Sequence, residues 1–349
     1  MTNRILSKLA HIPIEIISES KEITDELALK KDPAGESKKY LLIARQKGDF
    51  VKPCPCTPCY LGCNYFIINV DLNCPLDCTY CILQLYLSDS LITVCVNTDD
   101  LWNQLDRFLD AHTHRTLRIG TGELSDSLAL DHITDRSKEL IAYFRKRKNA
   151  LFELKTKTIN IENVLESEPS ENIVIAWSLN PEYLVKREEK GAPSLKERVE
   201  AARAVLDKGF RVAFHFDPII RYSGWEDGYK EAVDVLFTRI DPGRIAWISL
   251  GSLRFPPNLK NIIRERFPGT RILDEELIRG EDGKIRYFKP LRLALYREVA
   301  GHIRSAGRDR VPLYFCMENE EIWRKILGKK PKGKEEIELY LSLPFGNVR

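Results

Sequence analysis

Cys74-Pro75-Leu76-Asp77-Cys78-Thr79-Tyr80-Cys81 sets three thiols in a C-x3-C-x2-C spacing, directly after an apolar run of strand length at 65–70. A compact loop with this spacing directs three thiolates at one inorganic centre. Common ferredoxin clusters take four cysteines, so three leave one iron open to a small molecule. The same thiols with a fourth would also make a tetrahedral zinc site. Zinc modules usually pair two short knuckles, however, and no second knuckle with downstream histidines follows here. The setting of the loop, at the end of one strand and before another, favours a cluster.

Eight of the nine cysteines fall between residues 54 and 95 of a 349-residue chain. Disulfide frameworks belong to small secreted proteins, whereas crowding of this kind suits metal chemistry in a reducing compartment. The first twenty residues carry Glu15 and Glu19 within their apolar part and lack a small-residue cleavage site, which argues against a secretion signal. No apolar stretch approaches the ~20 residues of a membrane helix. The expectation is a cytoplasmic metalloprotein. A net charge of +3 neither requires nor excludes a polyanionic partner. The block Arg145-Lys146-Arg147-Lys148 lies at a predicted helix end, where cations offset the dipole.

Apolar, often β-branched runs recur at 117–120, 151–154, 173–177, 212–216 and 245–250, with a seventh at 311–316 after a long helical pattern. Such runs have strand length. Between them lie helical faces, one of Leu101, Trp102, Leu105, Phe108 and Leu109 with Thr98 as the expected N-cap. Another joins Leu195, Val199, Ala202, Val205 and Leu206, after Ser194 and ending at Gly209. Alternation of this kind implies a parallel sheet covered by helices, with strands buried on both faces. Pattern alone leaves a doubly wound sheet and a full or partial barrel open. In either, the site lies at the C-terminal strand ends, where the sequence concentrates residues 73–81, Gly120-Thr121-Gly122-Glu123, Lys155, Ser178, Asn180, His215, Asp217 and residues 251–254. Gly122 permits close backbone approach, and Glu123 can accept from an ammonium group.

The cysteine spacing resembles the radical S-adenosylmethionine signature, and the likeness goes further. Residues 74–83, Ser125-Asp126 with Asp131-His132, residues 152–155, Pro218 to Tyr229 with Arg221 and Gly224-Trp225-Glu226, and Leu253-Arg254-Phe255 followed by Arg266-Phe267-Pro268 are similar to the spore photoproduct lyase group. The resemblance runs from about residue 64 to 325. It implies a partial (β/α)6 TIM-type barrel at 61–328, with an N-terminal extension at 1–60 and a short C-terminal tail at 329–349. It implies a 4Fe–4S cluster on Cys74, Cys78 and Cys81, S-adenosyl-L-methionine on the open iron, and a one-electron reductant of flavodoxin or ferredoxin type. Members reverse a thymine-dimer lesion in DNA by radical chemistry. By the same resemblance Gly122, Glu123, Lys155, Ser178 and Asn180 contact the S-adenosylmethionine, and Tyr80 packs near its adenine. Lys155 and Ser178 also read as a solvated strand end and a turn residue.

The chain departs from that group in two places. Lesion-repairing members return hydrogen from a cysteine in the segment matching residues 123–126, where this chain has Glu123 and no thiol. The tyrosine after the third cluster cysteine is replaced by Ile82. Both losses touch hydrogen return rather than cofactor cleavage, so a changed substrate is expected. Cys316 is one candidate for the missing thiol, against the ordinary reading of a buried small hydrophobe. Cys54, Cys56, Cys59 and Cys63 are candidates for a second metal site. Arg221 and Arg254 suit an anionic substrate, because arginine forks match phosphate and carboxylate; structural salt bridges are the competing reading. Two function classes stand: a radical enzyme acting on DNA or another anionic substrate, and a non-catalytic iron–sulfur or zinc protein that binds nucleic acid.

Overall fold

The computed structural model describes every residue except 58–59, 88–89, 308–309 and 346–349. Its main sheet comprises β1 (Val51–Pro53), β2 (Tyr65–Ile68), β3 (Leu117–Thr121), β4 (Ala150–Thr156), β5 (Ile173–Ser178), β6 (Arg211–Ile219), β7 (Ile245–Ser252) and β8 (Leu313–Phe315). Spatial order follows sequence order across all eight. β2 to β8 run parallel, and β1 pairs antiparallel to β2 at the edge. This is the partial barrel that the resemblance implies, reached through the seven predicted strand runs. The sheet curls, so the Arg118 guanidinium on β3 lies over the rings of Tyr65 on β2, Trp247 on β7 and Tyr314 on β8.

Helices fill the crossovers: α1 (Thr98–Asp110), α2 (Arg136–Phe144), α3 (Glu162–Glu166), α4 (Leu195–Lys208), α5 (Trp225–Arg239) and α6 (Lys289–Gly307). Each buries apolar side chains in the common core. Leu101, Leu105 and Leu109 of α1 are fully buried, as the 3.6-residue spacing requires. Ser194 and Glu197 form a reciprocal capping box on α4, which ends at Gly209 with φ +111°. At α1 the expectation shifts by one residue. Asn97 is the N-cap and Thr98 is already helical, and the Asn97 amide donates to Asp100 and to the Gln46 carbonyl instead. Its side chain thereby ties the N-terminal segment to the barrel.

The N-terminal residues lack long periodicity but hold short helices at Thr2–Lys8, Lys21–Leu27 and Pro33–Ser37. Beyond residue 329 the chain forms a helix, Lys334–Ser342, with Ile337 and Leu341 buried. Its Tyr340 hydroxyl accepts from the β8 amide of Leu313 at 3.1 Å. No described helix is long and apolar enough to cross a membrane.

Candidate active site at the strand ends

The cysteine loop is held from several sides before any cofactor is considered. Asn73, at φ +64°, donates its backbone amide to the Leu124 carbonyl at 2.7 Å, and its side-chain oxygen accepts from the Cys74 amide at 2.8 Å. Lys38, from the N-terminal extension, donates to the carbonyls of Cys74 and Leu76 at 2.7 and 2.8 Å. The ribbon Asp77–Cys78 pairs antiparallel with Glu189–Lys190, and the Gln84 side-chain amide donates to the carbonyls of Thr79 and Cys81. Arg266 reaches in from a later helix to pair with both Asp77 and Asp32. A loop so restrained is preorganised, which is what precise metal coordination requires.

Cys74, Cys78 and Cys81 line one pocket, shared with Gly122, Glu123, Lys155, Ser178 and Asp217 from four strand ends. Cys74 and Cys78 are buried and Cys81 is half-buried, all as free thiols. Burial pushes each thiol above its ordinary pKa. Among the described residues no three such side chains stand at metal-ligating separation; the fit to a cluster rests on the donor set, three soft sulfurs on one short loop. Among the described residues no other thiol lines that pocket, so a three-sulfur set with an open position suits a centre that binds a further molecule.

The glycine turn beside it is needed on steric grounds. Gly122 has φ +91°, and a Cβ there would come within 2.7 Å of the Lys155 carbonyl oxygen and 2.8 Å of Ser127 Oγ. Ser127 Oγ in turn accepts from the Lys155 amide at 2.9 Å, so the turn is bolted to β4. Gly122→Ala is expected to cost at least about 1–2 kcal/mol from the positive φ alone. It should also displace Glu123 and Lys155. Thermal denaturation together with S-adenosylmethionine binding by calorimetry would check both effects. Burial disfavours the Lys155 ammonium, but Glu123, Glu153 and Asp217 outweigh it and hold its pKa above the usual lysine value. Lys155 is therefore charged in the pocket wall.

Other sequence candidates sit differently. Ser178 lines the pocket, and its carbonyl accepts from Arg198 at 3.0 Å. Asn180 is 1% exposed. It donates to Glu189 at 2.9 Å and accepts from the Tyr229 hydroxyl at 3.1 Å, so its polar atoms are already committed behind the pocket. Tyr80 lines the pocket while its hydroxyl donates to Glu189. Glu189 is thus a hub that the sequence did not announce. It is fully buried, pairs with Arg198 at 2.5 Å and faces Lys157. Burial alone would raise its pKa, yet those two cations and the hydrogen bonds from Tyr80 and Asn180 hold it at about 2.

Arg254 and Arg221 both have carboxylate partners. Arg254 grips Asp217 through contacts of 2.9 and 3.1 Å and donates to Cys316 Sγ at 3.3 Å. Arg221 pairs with Glu275 at 2.5 Å. The salt-bridge reading describes both arginines in this structure, although Arg254 remains next to the pocket through Asp217. His215 is a satisfied core histidine, 2.8 Å from Glu153 and 2.6 Å from Ser249. Upstream, Cys54 and Cys56 place their sulfurs 3.7 Å apart, Cys63 is half-buried, and Cys59 lies outside the described residues.

Comparison with known proteins accords with this geometry. A family model, spore photoproduct lyase, matches residues 61–296. A spore photoproduct lyase of a Geobacillus species is 28% identical over 214 residues, covering 60% of this chain and 63% of that protein. That of Bacillus subtilis is 28% identical over 223 residues, covering 63% and 65%. The aligned stretch thus spans less than two thirds of either relative. Among solved structures, a spore photoproduct lyase variant with bound AdoMet and dinucleoside spore photoproduct superposes with a TM-score of 0.74 at 24% identity, over 87% of this chain and 88% of the other. A second variant, with dinucleoside spore photoproduct, gives 0.72 at 25% identity over 87% and 88%. With the family model covering well over half of its length, the chain belongs to the spore photoproduct lyase family.

Proposed function

We infer that this protein is a radical S-adenosylmethionine enzyme. The observation that carries the reading is the convergence of three thiols from one restrained loop with Gly122, Glu123, Lys155 and Ser178 in one pocket at the C-terminal edge of a parallel half-barrel. Cys74, Cys78 and Cys81 would hold a 4Fe–4S cluster. When bound, the cluster supplies one electron to S-adenosylmethionine, releasing methionine and a 5′-deoxyadenosyl radical that takes hydrogen from the substrate. The chain's own residues orient and exclude water. Glu123 would accept from the methionine ammonium group, with Gly122 allowing the backbone to approach; Lys155 and Ser178 would offer further polar contacts to the cofactor; the Tyr80 ring, pinned through Glu189, would pack near its adenine. Asn180 serves from behind, by fixing Glu189 and Tyr229.

The substrate reading is a DNA lesion or another nucleic acid, supported by the family and by what its solved members bind. Arg254, beside the pocket, is the nearer anion anchor. Arg221 is held in the ion pair with Glu275. A flavodoxin- or ferredoxin-type protein would deliver the electron. The test is anaerobic reconstitution. Cluster-loaded, reduced protein given S-adenosylmethionine is expected to release 5′-deoxyadenosine, and a fully loaded protein that neither binds nor cleaves it would support the non-catalytic alternative.

A further inference from the structure

The run Asp32-Pro33-Ala34-Gly35-Glu36-Ser37-Lys38 builds a short helix, Pro33–Ser37, and both of its ends reach the cysteine loop. Asp32 is the N-cap. Its carboxylate accepts from the Gly35 amide at 3.0 Å, and Pro33 takes the first helical position. Gly35 leaves room for that carboxylate, since a Cβ there would stand 2.3 Å from one of its oxygens. The same carboxylate pairs with Arg266 at 2.7 Å, and Arg266 pairs with Asp77 of the loop at 3.1 Å. At the other end Lys38 follows the helix and sends its ammonium group into the loop itself. It donates to the Cys74 carbonyl at 2.7 Å, to the Leu76 carbonyl at 2.8 Å and to the Asn73 side-chain oxygen at 3.4 Å.

Those three oxygens are the hydrogen-bond partners of Lys38 among the described residues, and none belongs to a carboxylate. Other cations around the loop are neutralised: Arg266 by Asp32 and Asp77, Arg198 by Glu189 at 2.5 Å, and Lys157 lies 3.8 Å from that same carboxylate. Lys38 therefore brings an unpaired positive charge, half-buried, to a loop whose thiols must become thiolates before they bind a metal. Its charge reaches across the loop as well. Burial raises the pKa of the Cys81 thiol, and Lys38 is one of the cations that oppose the rise. Lys38 precedes residues 61–296, the stretch that the family model matches, so the N-terminal extension alone contributes this charge.

We propose that Lys38 is the fixed counter-charge of the cysteine loop and raises the potential at which the cluster accepts its electron. The inference rests on the radical reading above. Three thiolates make a cluster site negative, and one-electron reduction adds a further negative charge. A cation held beside the site stabilises the reduced form more than the oxidised one, so the electron from the reductant is accepted more readily. Net charge and hydrogen bonding around the sulfurs are the levers by which proteins set such potentials, and Lys38 applies a charge through hydrogen bonds to the ligand-bearing backbone. Over about 10 Å, at an effective dielectric of about 20, a unit charge shifts a one-electron equilibrium by about tenfold. Lys38 is a positioning residue, which acts on the cluster through the loop.

The test is a redox titration of cluster-loaded full-length protein without S-adenosylmethionine, read by the paramagnetic signal of the reduced cluster. In Lys38→Gln, which keeps a hydrogen-bond donor and loses the charge, the reduced-to-oxidised ratio at the wild-type midpoint should fall about tenfold, a shift of about 59 mV for one electron. Lys38→Arg keeps the charge and should stay within about twofold of wild type. Lys39→Gln is the control. Lys39 pairs with Glu36 at 2.8 Å on the exposed side, and its loss should leave the midpoint unchanged. A Lys38→Gln protein with full iron and the wild-type midpoint overturns the inference and leaves the proposed function standing. So does a Lys38→Arg protein shifted as far as Lys38→Gln, because geometry rather than charge would then be at work. Iron content covers the case in which Lys38→Gln does not hold its cluster: retention by Lys38→Arg at the wild-type midpoint supports the charge, and loss from both variants overturns it. Wild type that takes up no cluster overturns both the inference and the radical reading.

Discussion

Cys78→Ala is expected to reduce S-adenosylmethionine cleavage to the protein-free background while the fold survives. Cys78 is 7% exposed and sits on the short ribbon whose register sets it opposite Glu189. Removing one sulfur from that ribbon costs only about 1 kcal/mol, the centre of single-substitution effects, because the backbone pairing and the Gln84 and Lys38 contacts remain. The chemical loss is complete by comparison. Two sulfurs cannot hold a cluster that three already leave one ligand short of the usual four. Iron content per chain and the cluster's visible absorbance should fall together, with the thermal midpoint nearly unchanged. A Cys78→Ala protein that keeps full iron and cleaves S-adenosylmethionine would move the cluster elsewhere.

The largest expected effect on stability belongs to Arg198→Met. Arg198 and Glu189 are both fully buried and 2.5 Å apart. Breaking such a pair strands a buried charge, which costs about 3–5 kcal/mol. Lys157 stands 3.8 Å from the same carboxylate and would soften the loss toward the lower figure. Denaturant unfolding measures it directly, and a loss below about 1 kcal/mol would show the pair to be weak, as exposed pairs are. Glu189 also holds Tyr80, so S-adenosylmethionine affinity should drop by about tenfold, in the range seen when groups behind a ligand are removed. Adding Glu189→Gln should recover part of the stability, since the stranded charge is gone. It should not recover the affinity.

These two residues differ in how far local sequence reveals them. Cys78 is visible because its chemistry depends on spacing, and a loop of eight residues is short enough for spacing to control geometry. Arg198 is invisible. It lies on the buried side of α4 with Leu195, Val199 and Ala202, where an apolar residue is the rule. Glu189 hides as well, in the run Arg187-Glu188-Glu189-Lys190. Charges of mixed sign in a row read as a solvated helix end. Only the antiparallel pairing with Asp77–Cys78 sets Glu189 against the cysteine loop, and there the carboxylate needs Arg198.

Everything legible in the chain before folding is periodic or local. The strand runs, the helical faces, the Ser194 and Gly209 signals on α4, the three-thiol loop and the glycine turn each depend on neighbours within a few residues. Which charges meet is a matter of tertiary structure alone. Folding pairs Arg254 with Asp217 and Arg221 with Glu275 and commits Asn180 to Glu189. Pairings between residues 9 to 54 positions apart depend on how the sheet curls and on which buried charges must be neutralised, and no local pattern encodes either.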